Sequence, residues 1–349
     1  MNNRFQELSA GEPYIIAEIG ANHNGDMDLA KRMIKVAKQN GADAVKFQSW
    51  TPSSVASKIE YDQNQSYSDG DGGKKHFGSL KEMVEKYYLR ENQHVELKDF
   101  CDSLEIDFCS TPFSSNEVEM LEKLDVPYYK IASMDIDNEQ LLFEVAKTGK
   151  PVLLSTGMAT LSEIETAIKY IETAGNNQIV ILHCISIYPP EYSDINLNNI
   201  PMLKNAFDYP VGFSDHTIGT SIPLAAVALG CCIIENHFTL DKDMPGWDHA
   251  ISADPAELYE IAHESKNIYH AMGAGRRVVS RAEVEKKSKF RRSFVASRDL
   301  KKGEILTNND IAGKRPGTGI PMSEINHVVG RELKKDVARD LLFTWEDFR

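Results

Sequence analysis

Eight short runs of β-forming apolar residues punctuate the first 272 positions, and amphipathic stretches separate them. The runs are 14–20 (YIIAEIG), 42–48 (ADAVKFQ), 107–113 (DFCSTPF), 128–133 (YYKIAS), 151–156 (PVLLST), 179–186 (IVILHCIS), 211–217 (VGFSDHT) and 233–239 (IIENHFT). Between them, 29–39 (LAKRMIKVAKQ), 161–172 (LSEIETAIKYIE) and 255–273 (PAELYEIAHESKNIYHAMG) carry apolar residues at three- and four-residue spacing, the helical period. Strands that alternate with helices pair in parallel. Eight such units in about 270 residues fit a closed (β/α)8 barrel, the TIM barrel, better than an open doubly wound sheet.

Two segments break the rhythm. Residues 49–78 are polar and glycine-rich, and are read either as a loop with substrate contacts or as a disordered insertion. After position 275 the pattern changes: 276–292 (RRVVSRAEVEKKSKFRR) is charged and reads as a linker, and 293–349 reads as short strands and turns. The expected organisation is a catalytic barrel over 1–275, the linker, and a small C-terminal domain near the size at which independent stability is marginal.

Composition narrows the partners. The chain has 349 residues, 42% of them hydrophobic, enough for a full core. With 39 basic and 52 acidic residues its net charge is −13, which argues against nucleic acid or an anionic membrane as partner. The five cysteines show no paired-motif spacing, and the N-terminus shows no apolar signal segment. A reducing cytoplasm is expected.

Barrel enzymes carry their chemistry at the carboxyl ends of the strands, and here nearly every run turns polar at its end. Glu18 closes the first, Lys46 and Gln48 the second, Ser110 and Thr111 the third, and Lys130 and Ser133 the fourth. Ser155 and Thr156 close the fifth, Ser186 and Tyr188 the sixth, Ser214, Asp215 and His216 the seventh, and Glu235, Asn236 and His237 the eighth. Two lysines among hydroxyls make a pocket for phosphate and carboxylate oxygens. His216 and His237 occupy equivalent positions on neighbouring runs. They read either as hydrogen-bonded structural histidines or as ligands to a divalent cation, for which Mn2+, Mg2+, Co2+ and Zn2+ all suit a thiolate-free pair.

The motifs AEIGANHNG (17–25), STPF (110–113), YKIAS (129–133), LLSTGMA (153–159), LHCISIYP (182–189), GFSDHT (212–217) and ENHFTLDK (235–242) resemble, in order and spacing, the N-acetylneuraminate (sialic acid) synthase family, legionaminic and pseudaminic acid synthases included. SFVASRDLKKGEIL and KRPGTGI resemble that family's C-terminal antifreeze-like (SAF, β-clip) domain. The resemblance implies condensation of phosphoenolpyruvate with an N-acylated mannosamine-type sugar, giving a nine-carbon 2-keto acid and phosphate. It implies a divalent metal, Mn2+ first and Mg2+ or Co2+ next, on His216 and His237. It places phosphoenolpyruvate against Lys46, Thr111, Lys130, Ser133, Ser155 and Ser214, with Ser186 beside them. Gln48, Tyr188 and Asp248 match positions near the sugar, and Glu18, with Lys46 and Lys130, is assigned to catalysis. A homodimer is also implied, in which the small domain of one chain covers the barrel of the other and delivers Arg315 to the sugar's N-acyl group.

Three departures fall where the sugar should sit. MDIDNE (134–139) replaces a usual Gly–Glu pair, which makes Asp135 the expected sugar contact, one carbon shorter. Trp247 stands beside Asp248 where proline is commoner, and the 49–78 loop has its own sequence. The other readings are a phosphoenolpyruvate-dependent synthase for a different aldose, and a sugar-binding barrel without catalysis.

Overall fold

A computed structural model describes residues 3–63, 66–68, 76–273 and 275–349. The chain divides into two compact units, Met1–Gly273 and Ala274–Arg349. The first is a (β/α)8 barrel. Its strands are β1 (Tyr14–Glu18), β2 (Ala44–Ser49), β5 (Asp107–Pro112), β6 (Tyr129–Ile131), β7 (Val152–Ser155), β8 (Ile179–Cys184), β9 (Val211–Asp215) and β10 (Ile233–His237). All pair in parallel in the order β5-β2-β1-β10-β9-β8-β7-β6, and β5 lies against β6 to close the ring. Seven of the eight predicted runs contain one of these strands, and β2 extends one residue past the remaining run, 42–48.

Two periodicities build the barrel core. Along a strand, alternate side chains face opposite sides. One set, which includes Ile16, Ala44, Cys109, Leu153, Val180, Leu182 and Ile233, fills the barrel interior. The other, which includes Ile15, Val45, Phe47, Phe108, Leu154 and Ile181, packs under the helices. Gly212 belongs to the interior: a Cβ there would stand 2.6 Å from Leu182 and 2.9 Å from the Ile233 Cβ. The helix Met27–Gln39 shows the helical period at work. Asp26 caps it by accepting from the Asp28 and Leu29 amides, while Leu29, Ala30, Met33, Ile34 and Ala37 bury one face. Gly41, at φ +89°, then turns the chain toward β2.

Within the 49–78 insertion, a helix (Lys58–Gln63) precedes two short antiparallel strands, β3 (Ser66–Ser68) and β4 (His76–Ser79). The rest of that segment, 64–65 and 69–75, lies outside the described residues. The insertion therefore has secondary structure at its two ends. Ser79 then caps the helix Leu80–Tyr87 through a box with Glu82.

In the second unit, β11 (Ser293–Ala296) pairs antiparallel with β12 (Ile311–Lys314). Phe294, Leu300, Leu306, Ile320, Leu333, Phe343 and Phe348 form its own small core. The charged segment read as a linker holds a ten-residue helix, Arg281–Phe290. Ser280 and Glu283 form its capping box, and the Ala-, Glu- and Lys-rich sequence favours it. None of its residues is buried.

Candidate active site

A cavity of about 600 Å³ opens at the carboxyl end of the barrel strands, the end where this fold carries its chemistry. Its floor is a buried line of alternating charges. Glu18 from β1 and Lys46 from β2 form an ion pair at 2.5 Å, and Lys130 from β6 meets Glu235 from β10 at 3.0 Å. Lys46 lies 3.9 Å from the same Glu235 oxygen, so the two pairs are one network. Hydrogen bonds fix its geometry: Lys46 donates to Thr111 Oγ1 at 3.3 Å, Ser214 to Glu235 Oε1 at 3.0 Å, and Gln48 Nε2 to Glu18 Oε1 at 2.8 Å.

Strand pairing sets this depth. Glu18 lies level with His237 and with Lys46, and Glu235 with Ser214, along the ladders. The environment then divides the two carboxylates. Burial raises the Glu18 pKa and Glu235 adds to this, while Lys46 opposes it. Burial also works against charge on Glu235, but Lys130 and Lys46 outweigh it and hold Glu235 well below the ordinary range. Lys46 keeps its charge because Glu18 and Glu235 overcome the cost of its burial.

The hydroxyls expected for a phosphate gather on the other side of the floor. Ser133, Ser155 and Ser186 all line the cavity. The Ser133 hydroxyl accepts from the Gly157 amide at 3.0 Å, and a Cβ on Gly157 would fall 2.2 Å from Ser186 Oγ and 2.7 Å from Ser133 Oγ. Glycine is required for that approach. The buried Ser155 Oγ and Glu235 Oε2 have no hydrogen-bond partner in the protein. Buried polar atoms are normally satisfied, so these two point to a polar ligand.

His216 and His237 meet on the opposite rim, ring centroids 5.4 Å apart, with the Tyr188 ring 4.1 Å from His216. A cross-strand bond holds them there: Asn236 Nδ2 donates to Asp215 Oδ2 at 3.0 Å and ties the ends of β9 and β10. His216 Nδ1 donates to the Ile185 carbonyl at 2.8 Å, which leaves Nε2 as a lone-pair donor. His237 is neutral: burial lowers its pKa, and His216 and Lys46 add to this. Its buried Nδ1 has no hydrogen-bond partner and stands 3.8 Å from Asp248 Oδ2. Burial, reinforced by Glu18 and opposed by His216, raises the Asp248 pKa to about 7. Burial works against charge on His216, but Cys184, the Ile185 carbonyl and Asp215 outweigh it and raise its pKa. Two imidazoles beside a carboxyl suit a divalent cation that keeps open positions for other ligands. Among the described residues no group of three or more His, Cys, Asp or Glu is arranged to hold a metal, so the protein offers a pair.

One expected residue lies elsewhere. Asp135 does not line the cavity: it sits in a single 3-10 turn, Ser133–Asp135, with Oδ1 accepting from Asn138 Nδ2 at 3.0 Å. The turn presents Met134 to the cavity in its place. Arg315 follows β12 in the second unit, its guanidinium 5.1 Å from the centre of the Phe290 ring. Sequence reasoning also passed over Glu235 as a site residue. The signal was there, because Glu235 lies two positions before His237 and so faces the same side of β10. Gly157 and the Cys184 thiol, which also lines the cavity, carried no such signal.

Comparison with known proteins agrees with this fold. Residues 33–277 match the NeuB family and residues 291–349 the SAF domain. The chain is 41% identical to the N,N'-diacetyllegionaminic acid synthase of Campylobacter jejuni over 94% of its own length and 98% of that protein's. It is 44% identical to an uncharacterized protein of Methanocaldococcus jannaschii, over 97% and 96% of the two chains. The N-acetylneuraminic acid synthetase of Leptospira borgpetersenii, crystallised in complex with citrate, superimposes with a TM-score of 0.69. That match has 36% identity and covers 79% of this chain and 90% of that one. The chain belongs to the NeuB family. It is an enzyme, a synthase of the sialic-acid type with a C-terminal SAF domain.

Proposed function

We propose that the protein condenses phosphoenolpyruvate with an N-acylated amino sugar of the mannosamine type and water, giving a nine-carbon 2-keto acid and phosphate. The observation that carries this reading is the floor of the cavity. Two buried lysines and a cluster of hydroxyls, one of them without a partner, line the same cavity as a pair of histidines. Lys46, Lys130, Thr111 and Ser214 take the charged oxygens of phosphoenolpyruvate, and Ser133, Ser155 and Ser186 complete their hydrogen bonds.

A divalent cation held by His216 and His237, Mn2+ first and Mg2+ or Co2+ as alternatives, would act as a Lewis acid toward the sugar aldehyde. Carbon 3 of phosphoenolpyruvate attacks that aldehyde, water adds at carbon 2, and phosphate leaves by C–O cleavage. Glu18 is placed to orient or deprotonate the water, since burial leaves it more basic than an ordinary carboxylate. Gln48, Tyr188 and Asp248 border the sugar. In the same reading the enzyme is a homodimer whose small domains cover the partner's barrel, with Arg315 of each directed at the N-acyl group. A cytoplasmic location accompanies it: the five cysteines are free, and no described helix is long and apolar enough to cross a membrane.

Phosphate release from phosphoenolpyruvate, followed with Mn2+ and a panel of N-acyl mannosamine sugars, tests the proposal, and the mass of the product identifies the keto acid. No release with any of them would leave a sugar-binding barrel as the reading.

A further inference from the structure

One wall of the cavity is built by loops. Trp50 follows β2, Val84 lies on the helix Leu80–Tyr87, Phe113 follows β5, and Trp247 lies on the long loop after β10. Trp50 and Val84 belong to one buried apolar cluster, against which Phe113 and Trp247 pack. Asp248 directly follows Trp247, and its Oδ2 stands 3.8 Å from His237 Nδ1, at the histidine rim. The loop leaves the barrel at Phe238 and returns at Ala253, which pair with each other in a single bridge. A loop of this length keeps one conformation only when its tip as well as its base is tied down.

Asn22, four residues after Glu18, ties both. Its side chain is buried, and it does not line the cavity. Its Nδ2 donates to the Phe238 carbonyl at 2.9 Å and to Ser252 Oγ at 2.8 Å, one at each end of the loop. The Ser252 hydroxyl in turn donates to the Asp248 carbonyl at 2.6 Å. Asn24 adds a fastening of its own, from Nδ2 to the Pro245 carbonyl at 2.8 Å. Gly246 makes room for it: at φ +159°, a Cβ there would stand 2.5 Å from Asn24 Oδ1.

The partners fix which way the Asn22 amide faces. The Phe238 carbonyl can only accept, and Ser252 spends its one hydrogen on Asp248, so both need a donor. The NH2 group of asparagine supplies the two hydrogens. An aspartate of the same shape would set an oxygen against the Phe238 carbonyl and draw the Ser252 hydrogen away from Asp248.

Resting on the condensation reading above, we propose that Asn22 is a positioning residue for the sugar: through Ser252 it holds Asp248 at the histidine rim. It meets no substrate itself. Lys46 and Lys130 on the floor depend on strand pairing and ion pairs, so the phosphoenolpyruvate side is independent of it. A displaced Asp248 costs sugar binding and alignment, and leaves the other substrate alone.

The test uses the full chain with Mn2+, phosphoenolpyruvate and the N-acyl sugar that gives the fastest phosphate release. Asn22→Asp should raise KM for the sugar by about tenfold and leave KM for phosphoenolpyruvate within about twofold. Ser252→Ala removes a single hydroxyl, keeps the Asn22–Phe238 bond, and should act in the same direction by about fivefold. In an Asp248→Asn background, neither change should lower kcat/KM for the sugar by more than about twofold, because residues that act through one group are not additive. Equal rises in both KM values, or full additivity with Asp248→Asn, would reduce Asn22 to general support of the fold and overturn this assignment alone. Absence of phosphate release by the unsubstituted enzyme with every sugar overturns the condensation reading, and the assignment with it.

Discussion

The floor and the wall of the cavity are built by different means. The floor comes from strand ends: Lys46, Lys130, Glu18 and Glu235 stand at depths set by the backbone ladder and are locked by ion pairs of 2.5 and 3.0 Å. The wall comes from segments beyond the strand ends, where Trp50 and Val84 share an apolar cluster against which Trp247 packs. Ladder hydrogen bonds tolerate little displacement, so they suit groups that must meet reacting atoms. Loop residues can be exchanged without disturbing the ladder, so they suit the choice of substrate. In the proposed reading, reaction and selectivity are kept on separate parts of one barrel mouth.

The sharpest way to break that division is to unbalance the floor. Glu235→Ala strands the buried Lys130 ammonium, since Lys46 keeps Glu18, and the expected outcome is loss of turnover with about 3–5 kcal/mol of stability. Urea unfolding measures the second effect, and a change below about 1 kcal/mol would mean that the network is not charge-balanced. His216→Ala or His237→Ala should lower kcat by about a thousandfold while the fold persists. Metal-stripped protein that stays fully active with either change would sink the cation reading. Binding of phosphoenolpyruvate should likewise weaken on chelation, because Glu18 and Glu235 already offset both lysines; calorimetry with and without Mn2+ reads this directly.

The ground beneath the wall offers a different test. His23 is buried behind β1, its ring 6.1 Å from that of Phe47. Burial, aided by His94 and opposed by Asp26, lowers its pKa to about 4. On acidification the unfolded chain, with an ordinary histidine pKa near 6.5, takes up the proton before the folded chain does. The stabilisation is thus complete above about pH 6.5 and drains away as pH falls toward 4, amounting to about 3 kcal/mol. His23→Gln should remove that part of the pH dependence, and urea midpoints at about pH 7 and pH 4.5 would show it. An unchanged slope in the variant counts against His23 as the source. The smallest expected effect concerns the second unit: Arg315→Ala should raise KM for the sugar about tenfold and leave KM for phosphoenolpyruvate alone.

Much of this site could be read along the chain. A two-residue period in a parallel barrel strand sends alternate side chains inward, and the carboxyl end of such a strand opens on the active-site face. Lys46 with Gln48, Ser214 with His216, and Lys130 were therefore visible before any coordinates, and Glu235 follows from the same rule applied to His237. The rule ends where the strand ends. Asp135 lies just beyond β6, and a single 3-10 turn was enough to direct its carboxylate to Asn138 and to offer Met134 instead.

The sequence by itself determined the barrel, because hydrophobic period and strand length are local properties that each element carries alone. It also determined which polar residues share the strand-end face, since alternation is local too. Only the tertiary structure decided how their charges pair, because Glu18 and Lys46 meet on adjacent strands, and Lys130 and Glu235 across the barrel, rather than along the chain. It decided as well that Trp50 and Trp247, nearly two hundred positions apart, form one apolar wall. Such contacts depend on where closure of the ring brings distant loops, and no local pattern encodes that distance.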